Sequence, residues 1–596
     1  MSDVTKRVVQ LQKMMKEKGI EVYVVPTADF HQSEYVGEHF KVRKFITGFT
    51  GSAGTAVITQ NEAGLWTDGR YFIQAAEQLM GSPVHLFKMG EPGVPDVAEY
   101  IAQKLPKGGT LAFDGRVVSM GEGIQYESIV SEKQGTIYYE EDLIHQIWTD
   151  RPLLSEEKAF ALEEKYTGES VASKLSRIRK EMTKAHATSH VLTTIDDICW
   201  ILNIRGNDIE FFPLVLSYAI ITMNKMDVYI NEEKLSVEMK AALQKDGIVF
   251  HAYNDIYEDI KRIDSTEKLL IDPAKINYSI YSNIPEKVEK IEGRNPAILF
   301  KAMKNETELE NIRKAEIKDS ICYVKFMKWI KENYNKMTIT ELSASAKLDE
   351  LREAQENYIR PSFAPICAYG EHSALCHYES SPETDVSLEE GNFFLADTGA
   401  GFLEGSTDIT RTYALGEISQ EKKEHFTLVA ISNLQLANAK FLYGTTGLVL
   451  DILARKPFWD RNLNFNHGTG HGIGYLLNIH ESPTGFRWKY RAGESHPLEE
   501  GMVLTDEPGI YIEGSHGIRL ENELLVRKGE MNEYGQFLYM ETITYVPFDL
   551  DAIVPELMSE EDKKLLNEYH ATVYDRVAPY LDSEEKEWLK TYTRAI

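Results

Sequence analysis

The sequence predicts an α/β (α+β) chain, with two N-terminal α/β domains on mixed sheets ahead of a larger C-terminal domain. Three observations predict it. The first 300 residues hold a diverged internal repeat, a pair of capped helices opens the second half of the chain, and strands alternate with helices from Asn392 onward. In the repeat, an amphipathic helix with Val8, Leu11 and Met15 recurs as Leu175, Ile178 and Met182, each 167 positions later. After the first helix comes the apolar strand Val22 to Val25 and then Thr27-Ala28-Asp29; after the second come Val191-Leu192 and Thr194-Ile195-Asp196. Leu111-Ala112-Phe113-Asp114 echoes later as Leu269-Leu270-Ile271-Asp272. Breaks are expected at 152–164, where a proline meets an acidic stretch, and at 301–306, which gives domains 1–155, 156–307 and 308–596. Thr307 with Glu310 reads as a capping box opening a long helix, and Thr338 with Glu341 as a second. Further helices are expected at 420–441, within 560–581 and at 584–593.

Composition bounds the function. At 596 residues the chain exceeds one core. Lys and Arg total 65 against 93 Asp and Glu, a net charge of −28. That is the wrong sign for a nucleic-acid partner. No run reaches the roughly 18 apolar residues of a membrane helix. The nearest, 211–223, is interrupted by Pro213 and Ser217 and reads as buried sheet. The first ten residues are charged and show no signal peptide. Cys199, Cys322, Cys367 and Cys376 form no C-x-x-C pair, which suits a reducing, cytoplasmic setting and small buried side chains.

Chemistry concentrates after residue 390. Asp397, Asp408, His471, Glu507 and Glu521 lie in glycine-punctuated segments and form a ligand set of four carboxylates and one imidazole, with no thiolate. Such a set suits a pair of Mn, Fe(II), Co or Zn ions and argues against a structural zinc. Asp397 ends an apolar strand and Asp408 opens a returning one, where the period of two puts Asp408, Thr410 and Thr412 on one face. Taken alone, both aspartates also fit turn caps. His467-Gly468-Thr469-Gly470-His471-Gly472-Ile473-Gly474 and the nearby His480 are harder to read as structural, since glycines let the backbone approach a ligand. Arg519 shares a face with Glu521 and reads either as an orienting partner or as a surface ion pair.

These motifs, D-T-G-A, S-T-D-I-T-R-T, H-G-T-G-H-G-I-G with N-I-H-E, T-D-E-P-G and G-I-R-L-E-N, resemble the metallopeptidase family of aminopeptidase P, prolidase, methionine aminopeptidase and creatinase. The resemblance implies two creatinase-like N-terminal domains and a pita-bread catalytic domain from about residue 308. Phe45 to Ala56, Trp66 to Phe72 and Trp200 to Ser217 resemble the long, three-domain cytosolic aminopeptidase P type. It implies two divalent metals on the five ligands, Mn(II) favoured, and a metal-bridging hydroxide attacking the bond before a second-position proline. It assigns proton transfer to Glu507, places His377, His467 and His480 around the substrate, and gives Arg70 the peptide's far carboxylate or backbone. A homodimer in the cytoplasm is implied by the same type. Glu404-Gly405-Ser406-Thr407-Asp408 departs from the commoner D-G-T-T-D without touching a ligand. The competing readings are a prolidase acting on dipeptides with the same metals, and a non-catalytic binding protein on the same fold.

Overall fold

The structure is a computed structural model that describes residues 2–596. The chain divides into two compact units. One holds the chain through Ala161 together with Glu169–Ala297; the other holds Leu162–Gly168 and Ile298–Ile596.

The first unit contains two six-stranded sheets of the same topology. In spatial order the first runs Val84–Lys88, Ala63–Thr67, Thr55–Thr59, Val22–Pro26, Thr110–Phe113, Thr136–Tyr138. The second runs Ile248–His251, Met226–Ile230, Ser217–Thr222, Ser189–Leu192, Lys268–Ile271, Glu289–Glu292. Directions agree strand by strand: parallel, antiparallel, antiparallel, parallel, parallel. The repeated helices are Asp3–Lys18 and Val171–Lys184, capped by Ser2 and Ser170, and all six repeated apolar positions are buried. Of the apolar run 211–223, only Ser217–Thr222 is strand.

In the second unit, helix Glu306–Asn333 is capped by Asn305 with Glu308, not by Thr307 with Glu310. Asn305 offers its side chain to the same box two residues earlier and leaves Thr307 in the first turn. Helix Glu341–Glu353 is capped by Thr340 with Ser343. Glu341 is unavailable as a cap because its buried carboxylate accepts the Tyr369 N–H at 2.7 Å and the Tyr378 hydroxyl at 2.8 Å. Helix Gln420–Ala437 stops short of the expected 441 because Lys440–Leu442 pairs with Gly535–Thr542. Helices Glu560–Val577 and Ser583–Tyr592 close the chain, and Val573, Val577 and Leu589 pack with Ile321 and Val324 of the long helix. The sheets that matter are a three-stranded one, Ile366–Tyr369, Asn392–Thr398, Ile409–Leu415, and a six-stranded one, Lys440–Leu442, Gly535–Thr542, Asn522–Asn532, Val503–Asp506, Gly470–Ile473, His480–Phe486. Among the described residues, no helix is long and apolar enough to cross a membrane.

Candidate metal centre

Asp397 lies on the central strand of the three-stranded sheet, opposite Thr410. Asp408 immediately precedes the returning strand. The period of two aims the next side chains at one neighbour: Thr410 Oγ1 donates to Glu521 Oε2 at 2.6 Å, and Thr412 Oγ1 to the Arg519 carbonyl at 2.9 Å. The Glu521 N–H donates back to the Thr410 carbonyl at 3.0 Å. Two of the expected ligands are thereby stitched to a third.

The six-stranded sheet supplies the other two. Strand Val503–Asp506 ends one residue before Glu507, whose N–H donates to the Thr469 carbonyl at 2.7 Å. A Cβ at Gly470 would stand 1.9 Å from the Thr505 carbonyl oxygen, so only glycine lets these strands meet. His471 Nδ1 lies 3.0 Å from the Gly472 carbonyl and therefore carries the proton. Nε2 then turns its lone pair toward Asp408 Oδ2 at 3.5 Å and Glu507 Oε1 at 3.8 Å. Donor atoms of Asp408, His471 and Glu521 all fall within 4.8 Å of one another.

The electrostatics of this cluster are strongly biased. Burial, then the neighbouring Asp397, raises the Asp408 carboxyl from 3.8 to about 8. Burial raises Glu507, and burial with Asp408, Glu507 and Asp397 pushes Glu521 well above the usual range. Burial, then His480, lowers His471 to about 4, so its lone pair is available at neutral pH. Asp397 Oδ1 is buried with no hydrogen-bond partner. Asp408, Glu507 and Glu521 gather at the His471 lone pair, and Asp397, with its orphaned oxygen, stands beside Asp408; this set fits a divalent pair of the Mn, Fe, Co or Zn type.

Arg519 is buried, not part of a surface pair. It donates to Asp397 Oδ2, to the Tyr511 hydroxyl at 2.7 Å and to the Cys376 carbonyl at 3.4 Å. Arginine only donates, so Tyr511 accepts from it and gives its own proton to His467 Nε2 at 2.8 Å. His467 Nδ1–H then donates to the Gly468 carbonyl at 2.6 Å. Burial, then Arg519, holds His467 neutral, well below its ordinary value. His480 pairs with Ile473, and its ring centroid stands 4.1 Å from that of His471 at 72°. His377 follows Cys376 in the chain, half-buried, and lies near enough to His467 to help depress it. Arg70 lies in the first unit, where its guanidinium forks onto Asp68 at 2.8 Å through both Nε and Nη2.

Sequence reasoning missed Tyr511, whose signal was its place on Gly509–Ile512, the strand paired with His516–Arg519. It also missed Glu523, which accepts the Asp408 N–H at 2.9 Å and faces the buried Glu316; burial pushes both carboxyls far up. The cysteines divide three to one. Burial pushes the Cys199, Cys322 and Cys367 thiols up to about 12, while Cys376 is half-buried.

Four family models match consecutive stretches. The creatinase/prolidase N-terminal domain matches residues 7–137 and, in a second form, 150–308; metallopeptidase family M24 matches 310–528, and the C-terminal region of peptidase M24 matches 536–596. A probable Xaa-Pro aminopeptidase P of Paracoccidioides brasiliensis (strain Pb03) is 36% identical over 615 aligned positions, covering 100% of this chain and 99% of the relative. Among solved structures, the X-prolyl aminopeptidase of Caenorhabditis elegans, described as a cytosolic enzyme with a di-nuclear active site, is 32% identical with a TM-score of 0.95 over 100% of both chains. An Xaa-Pro dipeptidase of Bacillus anthracis is 27% identical with a TM-score of 0.51, covering 64% of this chain and 99% of its own.

Proposed function

Because this chain belongs to the M24 metallopeptidases, matching the Xaa-Pro aminopeptidase P members end to end, we propose that it removes the first residue from peptides with proline second. The observation that carries the reading is the excess of buried carboxylate around the open His471 lone pair. Asp397, Asp408, His471, Glu507 and Glu521 would hold two divalent ions, with Mn(II) the metal we favour among those the oxygen-rich set accepts. Such a pair supplies Lewis-acid activation of water and of the scissile carbonyl when bound.

The chain's own groups do the rest. Glu507, its carboxyl raised by burial, takes the attacking water's proton and passes it toward the prolyl nitrogen. His480 hydrogen-bonds the scissile carbonyl oxygen as charge develops on it, and His377 lines the same side. His467 acts through its bond to Tyr511, because its Nε2 is already committed there. Arg519 fixes Asp397 from behind. Proline's tertiary amide has no N–H, so an apolar wall rather than a hydrogen-bond acceptor selects it. Arg70, oriented by Asp68, pairs with the peptide's far carboxylate or backbone. The working form is a cytoplasmic homodimer of three-domain subunits divided near 155 and 307.

A panel with proline second, one dipeptide and several tripeptides, tests this with metal counted per subunit. The expected outcome is release of the first residue from tripeptides at two ions per chain. Cleavage of the dipeptide alone would make it a prolidase, and absence of bound metal would make it a binding protein.

A further inference from the structure

The strands that carry His471 and His480 do not form a continuous ladder. Ile473 pairs with His480 and Gly472 with Glu481, but the next step back, His471, pairs with Gly485. The ladder thus skips Ser482, Pro483 and Thr484 on one side. Gly472 packs so closely that a Cβ there would stand 2.4 Å from the Glu481 carbonyl oxygen. Glycine-rich, interrupted pairings specify register poorly, and a slip of one residue turns every side chain to the other face. Something else must fix where His480 sits.

Lys304 is placed to do so. It lies just before the Asn305 cap of the long helix and its side chain is only 1% exposed. Its Nζ donates to the Ile473 carbonyl at 2.5 Å and to Glu481 Oε1. Ile473 belongs to the His471 strand, and Glu481 directly follows His480. The Lys304 main-chain N–H donates to the Gly501 carbonyl at 3.0 Å, and Gly501 leads into strand Val503–Asp506, which Glu507 follows directly. A Cβ at Gly501 would lie 2.6 Å from the Lys304 carbonyl oxygen, at a φ of +88°. One residue is therefore tied to three strands that each present a residue of the centre. The pair is fully buried, with Glu481 2% exposed and its Oε2 left without a partner. A buried ion pair contributes little net stability against apolar replacement, and its best attested use is to fix a registry.

We propose that the Lys304–Glu481 ion pair is a register lock on the histidine hairpin, which makes Lys304 a positioning residue for His480 and His471. The kinetic part of the test rests on the peptidase reading above; the spectroscopic part does not. The full-length double variant Lys304→Met/Glu481→Met replaces both charges by chains of similar length. Its melting temperature and far-UV circular dichroism should stay near the wild type. Its kcat on a tripeptide with proline second should fall roughly a hundredfold, with KM changed less than about twofold. In metal-free protein with labelled histidines, the imidazole signals of His471 and His480 should shift or split. Unchanged kcat with unchanged signals would overturn the lock. If the wild type cleaves no such peptide, the peptidase reading fails, and the imidazole signals alone decide the lock. Should the first variant fail to fold, Lys304→Met/Glu481→Leu, of smaller volume, is read the same way.

Discussion

The N-terminal unit and the metal centre bury charge to opposite ends. In the N-terminal unit, Lys234 meets Asp208 with both side chains almost fully enclosed, and Asp208 also accepts the Leu216 N–H at 2.6 Å. Arg151 meets Asp142 at 2.5 Å, and the other Asp142 oxygen caps the backbone of Ile144 at 3.0 Å. Both of these buried carboxylates meet a cation of the chain's own, so neither needs a ligand to balance its charge. At the centre, Asp397, Asp408, Glu507 and Glu521 share one guanidinium and a neutral imidazole, and three of the four carboxyls are driven upward. A paired charge supports a fold; a surplus calls for a cation.

The largest effect should come from removing one of the surplus charges. Asp408→Asn should cost roughly a thousandfold or more in peptidase rate and lower the metal count per chain. The metal-free variant should nevertheless melt above the metal-free wild type, because one of four crowded carboxylates is gone. A lower melting temperature for that variant would break the comparison. Adding divalent metal should raise the wild type's melting temperature and the variant's much less.

Lys234→Met tests the paired side. It leaves Asp208 buried without its cation and should destabilise the N-terminal unit by about 3–5 kcal/mol. Metal stoichiometry should not move. Urea unfolding followed by tryptophan fluorescence, with metal analysis on the same sample, reads both.

His570 sharpens the contrast as a buried titratable group serving neither purpose. Burial, then Arg411, lowers it from 6.5 to about 3, and its Nε2 accepts the Phe548 N–H at 3.1 Å. Its folded pKa lies below the unfolded one, so the unfolded chain takes up the proton first as pH falls below 6.5. Stability is lost progressively from there down to about 3. Between neutral pH and pH 5 this should cost the wild type about 2 kcal/mol relative to His570→Gln, measured by unfolding at the two pH values.

Much of this was legible in advance, for identifiable reasons. The 167-residue offset was readable because both copies keep their buried helix faces, and the shared sheet order follows from it. Asp408, His471 and Glu521 were legible as donors because glycines and strand ends announce close approach. The helix starts at 306 and 341 were misplaced by two residues because competing cap residues lie side by side, and burial of Glu341 decides one of them. Tyr511, Glu523 and Lys304 were hidden because their roles come from contacts with segments far along the chain: Lys304 and Glu481 are 177 positions apart. No local pattern encodes such a meeting.

Three of the four thiols are sealed and protonated at any ordinary pH, whereas Cys376 is half-buried and its carbonyl touches the arginine that steadies Asp397. The native chain is thus ready-made for single-position tagging. A maleimide dye or nitroxide would report from the rim of the catalytic cluster without any engineered cysteine, and its signal would register metal loading and peptide arrival from within the same few ångströms.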